Sequence, residues 1–130
     1  MKANELTDRG ALELCAAIIK QQIDDYDKLL LNYFRFLHGP GDETRAVLYD
    51  GKYSHIYGDV YRCMRIGSSE KFFSTEWFES LSAPVGAVHG DTILRERRKQ
   101  AIAEALKRRF ITKNDIPKIY KANKWGRYSA

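Results

Sequence analysis

Between residues 91 and 130 the chain carries twelve Lys and Arg against four Asp and Glu. Arg95, Arg97, Arg98 and Lys99 form the tightest group; Lys107, Arg108 and Arg109 follow, then Lys113, Lys118, Lys121, Lys124 and Arg127. Trp125 and Tyr128 set aromatic rings among the last of these cations. That mixture suits nucleic acid, because cations contact phosphates while rings stack on bases. The first group falls at the start of an expected helix, where cations oppose the positive end of the helix dipole. At about 100° per residue its side chains point in several directions. Together with the free N–H groups of a helix start they make a candidate anion site. The same block also suits an acidic protein surface. It equally fits a solvated face whose long stems cover apolar surface. The candidate binding residues are therefore the basic positions from Arg95 to Arg127, with Trp125.

Other chemistry finds little support. No phosphate-binding G-x-x-x-x-G-K-[ST] loop, G-x-G-x-x-G turn or G-x-S-x-G elbow occurs. His38, His55 and His89 stand far apart, and no C-x-x-C or H-x-x-x-H pair offers zinc spacing. Cys63 would need the fold to bring His55 or His89 to it before a nucleophile–base pair existed. Asp24, Asp25 and Asp27 cluster without a nearby His or Glu at ligand spacing and read as a solvated helix face. The expectation is a protein that is not an enzyme and needs no cofactor or metal.

The elements that would position the basic block start with Ala11 to Leu37. Leu12, Ile19, Tyr26 and Tyr33 recur every seven residues, with Ala16, Ile23, Leu30 and Leu37 four residues behind. Alternating steps of four and three place all eight on one helix face. Thr7 or Asp8 is the expected N-cap, with Leu6 stapling onto Ala11. His38-Gly39-Pro40-Gly41 is the expected stop. The two apolar rows would form the centre of a bundle, or alternatively the seam of a homodimer.

Residues 42–66 admit two readings. Tyr49, Tyr53, Ile56, Val60 and Cys63 continue the four–three spacing and favour a helix, although Gly51 and Gly58 would each cost it roughly 1 kcal/mol. Asp50-Gly51 between AVLY and KYSHIY signals a hairpin at 46–57. Gly67-Ser68-Ser69 is an expected kink or break. Ser74 or Thr75 caps a short helix to residue 82, and Phe72, Phe73, Trp77, Phe78 and Leu81 are expected to plug the core. Asp91 or Thr92 caps the next helix, running to about Phe110 with Leu94, Ala101, Ile102, Ala105 and Leu106 inward. Thr112 and Asp115 have capping-box spacing, and Pro117 suits the first turn of a helix ending near Ala122. FITKNDIPKIYKAN also fits the opening of a helix-turn-helix, without room for a full recognition helix after it.

The fold class expected is all-α: a small helical bundle around one long N-terminal helix, with the hairpin as alternative. The 130 residues read as one domain, with loops at 39–43 and 83–90 and a mobile tail at 123–130. No apolar run suggests a signal peptide or a membrane span. Cys15 and Cys63 read as reduced thiols of a cytoplasmic protein. Residues 1–90 carry 10 Lys and Arg against 13 Asp and Glu, so the net charge of +5 comes entirely from the last third.

LELCAAIIKQQIDDY at 12–26 and FFSTEWFESLS at 72–82 together resemble small uncharacterised proteins of bacteriophages and mobile elements of Gram-positive bacteria. The resemblance covers about half the chain and carries no catalytic residues. It implies a phage or prophage accessory protein acting in a bacterial cytoplasm. Two functions fit that setting. One is binding of nucleic acid or a host nucleoprotein machine through the basic region. The other is inhibition of a host defence system, as by an anti-CRISPR protein, through protein–protein contact.

Overall fold

The computed structural model describes the backbone of residues 3–38, 47–49, 52–54, 58–86 and 89–126, and the side chains of 9–38, 61–86 and 89–126. It is an all-α helical bundle organised around one long helix, α1, Ala3–Arg35. A short antiparallel hairpin follows, β1 Val47–Tyr49 and β2 Lys52–Ser54, then α2 Gly58–Phe72, α3 Glu76–Ser82 and a 3-10 turn Ala83–Val85. The chain continues through α4 Gly90–Lys107, a second 3-10 turn Lys113–Asp115, and α5 Ile116–Asn123. Helices α2, α3 and α4 all pack on α1.

The core lies on the C-terminal half of α1. Tyr26, Leu30, Tyr33 and Phe34 are buried there among Ile66 of α2, Phe73, Phe78 of α3, Leu94, Ala101, Ile102 and Ala105 of α4, and Ile116 and Ile119 of α5. The apolar rows thus serve as a bundle centre from Tyr26 onward. Their first turns are not covered: Ala16 is exposed and Leu12 remains 39% exposed.

Several expectations change. Helix α1 begins at Ala3, so Thr7 and Asp8 lie inside it rather than capping it. It ends at Arg35, and the expected stop at 39–41 and loop at 39–43 lie outside the described residues. The helix favoured across 42–66 is replaced by the hairpin and a helix starting at Gly58. Pairing of Tyr49 with Lys52 leaves Asp50-Gly51 between the strands, the residue pair suited to a two-residue connection. The four–three spacing of the tyrosines is therefore split between separate elements; Ile56 and Tyr57 lie outside the described residues. Helix α2 runs unbroken through Gly67-Ser68-Ser69. Inward side chains hold it there: Ile66 is buried, and Glu70 bonds to α1 and α4.

Trp77 is not core. Phe73, Phe78 and Leu81 are buried, but Trp77 is 59% exposed and meets Phe72 edge-on at 5.7 Å. One helical position before Phe78 decides this, since neighbouring residues point about 100° apart. Thr75 caps α3 as expected, its Oγ accepting from the Phe78 N–H. His89, not Asp91 or Thr92, is the N-cap of α4, which ends at Lys107. Gly90 packs so closely on the Phe73 carbonyl that a Cβ would collide with it. The capping box of Thr112 and Asp115 is present, with both reciprocal bonds. Within 83–90, residues 83–85 form a 3-10 turn and 87–88 lie outside the described residues.

The tail expectation also changes. Lys124 closes α5 in left-handed geometry, and Trp125 returns against the bundle. Residues 127–130 lie outside the described residues. Among the described residues, no helix is long and apolar enough to cross a membrane.

Candidate nucleic-acid interface

The basic block divides into two sets once α4 is placed. With Leu94, Ala101, Ile102 and Ala105 turned inward, the helical period puts Arg98 within the inward face, Arg97 at one border of it, and Arg95 and Lys99 beyond the other. Arg97 meets Asp27 of α1 in a two-point pair, Nε to Oδ1 at 2.8 Å and NH2 to Oδ2 at 2.6 Å. That carboxylate raises the guanidinium's pKa against a smaller opposing effect of burial.

Arg98 enters a partly buried network. Its NH2 lies 2.7 Å from Glu70 Oε2, and its Nε donates to the Tyr26 hydroxyl at 3.1 Å. Tyr26 itself donates to Glu70, and Trp125 Nε1 donates to the same oxygen at 2.7 Å. The Arg98 guanidinium also sits 5.0 Å from the Trp125 ring centroid, and Trp125 meets Tyr120 edge-on. Burial, then the adjacent Glu70 carboxylate, push the Tyr26 phenol well above its ordinary pKa. Burial works against charge on Arg98, but Tyr26 and Glu70 outweigh it and raise the pKa. Within this network, the Glu70 carboxylate accepts from three donor side chains. The arrangement holds α1, α2, α4 and the C-terminal segment together.

Arg97, Arg98 and Trp125 therefore make intramolecular contacts. The anion site expected at the start of α4 does not assemble as a ring, because two of its four cations turn away. What faces solvent is a different subset. Arg95, Lys99, Lys107, Arg109, Lys113, Lys118, Lys121 and Lys124 are exposed and make no salt bridge among the described residues. Arg108 is exposed but pairs with Glu104 at 2.7 Å. Arg127 lies outside the described residues. Arg95 and Lys99 sit on successive turns of α4, while Lys118 and Lys121 occupy the outward side of α5 opposite buried Ile116 and Ile119. Of the four acidic residues in this third, Asp115 is buried and Glu104 is paired, which leaves Asp91 and Glu96 exposed.

The inward pairing of Arg97 and Arg98 had one sequence signal. Asp27 and Tyr26 are adjacent on α1, and Arg97 and Arg98 are adjacent on α4. Two neighbouring acceptors facing two neighbouring donors fit helices that run alongside each other. Asp25 of the acidic cluster accepts from Gln21 at 2.9 Å. No group of three or more His, Cys, Asp or Glu that could hold a metal occurs among the described residues. Cys15 and Cys63 are half-buried and form no disulfide among the described residues. His38 lies against the capping box, with Nε2 2.8 Å from Asp115 Oδ2. Thr112 donates to the same oxygen from its N–H at 2.7 Å and its hydroxyl at 3.1 Å. These bonds hold the Asp115 carboxyl below its ordinary pKa, although burial alone would raise it. No protein family, curated protein or solved structure matches the chain.

Proposed function

We propose that this chain is a non-enzymatic accessory protein that binds the phosphate backbone of nucleic acid, free or within a nucleoprotein complex. The observation that carries the proposal is a set of eight cations between Arg95 and Lys124 that are exposed and make no salt bridge among the described residues, against two exposed carboxylates, Asp91 and Glu96, in the same third of the chain. Phosphates attract such a surface without reading sequence, and each contact releases counterions. The resemblance to phage and mobile-element proteins supports a bacterial cytoplasmic setting. The interface residues are then Arg95, Lys99, Lys107, Arg109, Lys113, Lys118, Lys121 and Lys124, with Arg108 beside them. Arg97, Arg98 and Trp125 support the helices that present the surface.

The test is anisotropy of labelled duplex DNA, single-stranded DNA and RNA across a salt series. Affinity falls steeply with salt, with a log–log slope of about 0.9 per duplex phosphate contacted. Arg95→Gln with Lys99→Gln weakens binding to every sequence alike and flattens that slope. No binding to any of the three, or binding indifferent to salt, refutes the proposal.

Exposed Trp77 and Met64, 59% and 65% accessible, favour a second reading. Exposed aromatic side chains are typical anchors of protein interfaces. On this reading the chain inhibits a host defence complex by protein contact. Retention of a host protein after nuclease treatment of the lysate, lost in Trp77→Ala, would select it over the first.

A further inference from the structure

The first turns of α1 carry a stripe that is complementary to itself. Arg9, Leu12, Glu13, Ala16 and Lys20 are all exposed, and steps of three and four place them on one side of the helix. Ile23 and Asp24, half-buried, continue the stripe toward the bundle. Its charges read plus, minus, plus, minus at Arg9, Glu13, Lys20 and Asp24. Turned end for end, the order becomes minus, plus, minus, plus. A second copy laid antiparallel therefore sets Arg9 opposite Asp24 and Glu13 opposite Lys20, twice each across the two-fold axis. The axis passes beside Ala16 and Ala17, where small side chains let two helices approach closely. Leu12, 39% exposed within one chain, is then covered by the partner's Lys20 stem.

We infer that the N-terminal half of α1 is the interface of an antiparallel homodimer of this chain. A parallel arrangement in register loses the charge pairing, because each residue then lies level with its own kind. The pairing is isologous, so it closes at two copies and does not propagate. It spans four turns of one helix, about 24 Å at 1.5 Å per residue, and belongs to the small, weak class of interfaces. The dimer is accordingly concentration-dependent. This assignment is independent of nucleic-acid binding, since it uses none of the basic residues of α4 or α5.

Sedimentation velocity on the full chain, from micromolar to millimolar and at low salt, tests it. The expected result is a monomer that converts to dimer as concentration rises. Glu13→Lys and Lys20→Glu, each alone, set like charges opposite each other and give monomers. The double variant restores the pairing with its signs exchanged and dimerises again. Circular dichroism keeps folding in view, and all substituted side chains are exposed. A wild-type chain that stays monomeric throughout overturns the inference. So does a dimer that survives either single reversal, or a double variant that remains monomeric.

Discussion

Trp125 and Glu70, fifty-five residues apart, are joined by a 2.7 Å hydrogen bond from the indole N–H to the carboxylate. The same oxygen receives the Tyr26 hydroxyl and the Arg98 guanidinium. One carboxylate on α2 thereby sets the position of α1, of α4 and of the segment that follows α5.

Glu70→Ala is expected to destabilise the chain by about 3 kcal/mol. It leaves a mostly buried guanidinium, a phenol and an indole N–H without their shared acceptor, and breaking one side of a buried pair carries costs of that order. Arg95→Gln should stay within about 0.5 kcal/mol, as exposed substitutions usually do. Urea unfolding of both variants checks the contrast between structural and displayed cations.

Phe78→Ala should cost about 3–5 kcal/mol, the range for emptying a large core site. Trp77→Ala, one position earlier and largely exposed, should cost under about 1 kcal/mol. Reversal of that order in thermal or chemical unfolding would place Trp77 in the core after all.

The glycines separate in the same way. Gly10 and Gly67 lie inside helices with open space where a Cβ would stand. Alanine at either should stabilise by about 0.5–1 kcal/mol. Gly90→Ala should destabilise, because its Cβ would strike the Phe73 backbone, which cannot swing aside. Urea midpoints of the three variants should fall on opposite sides of the wild type.

Asp115 makes part of the stability pH-dependent. Its folded pKa lies below the unfolded value of 3.8. The contribution is therefore complete above about 3.8 and is lost as pH falls through the lower folded value. Asp115→Asn should lower stability at neutral pH and flatten the acid limb. Urea midpoints measured from neutral pH down into acid would show both effects.

The local features were legible because short-range physics sets them. The four–three spacing of Tyr26, Leu30 and Tyr33 marks the covered face of α1. The Thr75 cap and the Thr112–Asp115 box also involve residues within a few positions of one another. The candidate surface was only partly legible. Composition located the basic third of the chain, but Arg95 and Arg97 are alike in composition and opposite in placement. Asp27 lies seventy residues before Arg97, and Glu70 twenty-eight before Arg98. The hairpin at 47–54, exposed Trp77 and docked Trp125 likewise departed from what spacing favoured. An isolated sequence specifies the period of each helix and the charge it carries. Which border of that helix meets a carboxylate, and which meets water, depends on the rotation its neighbours impose when the core closes.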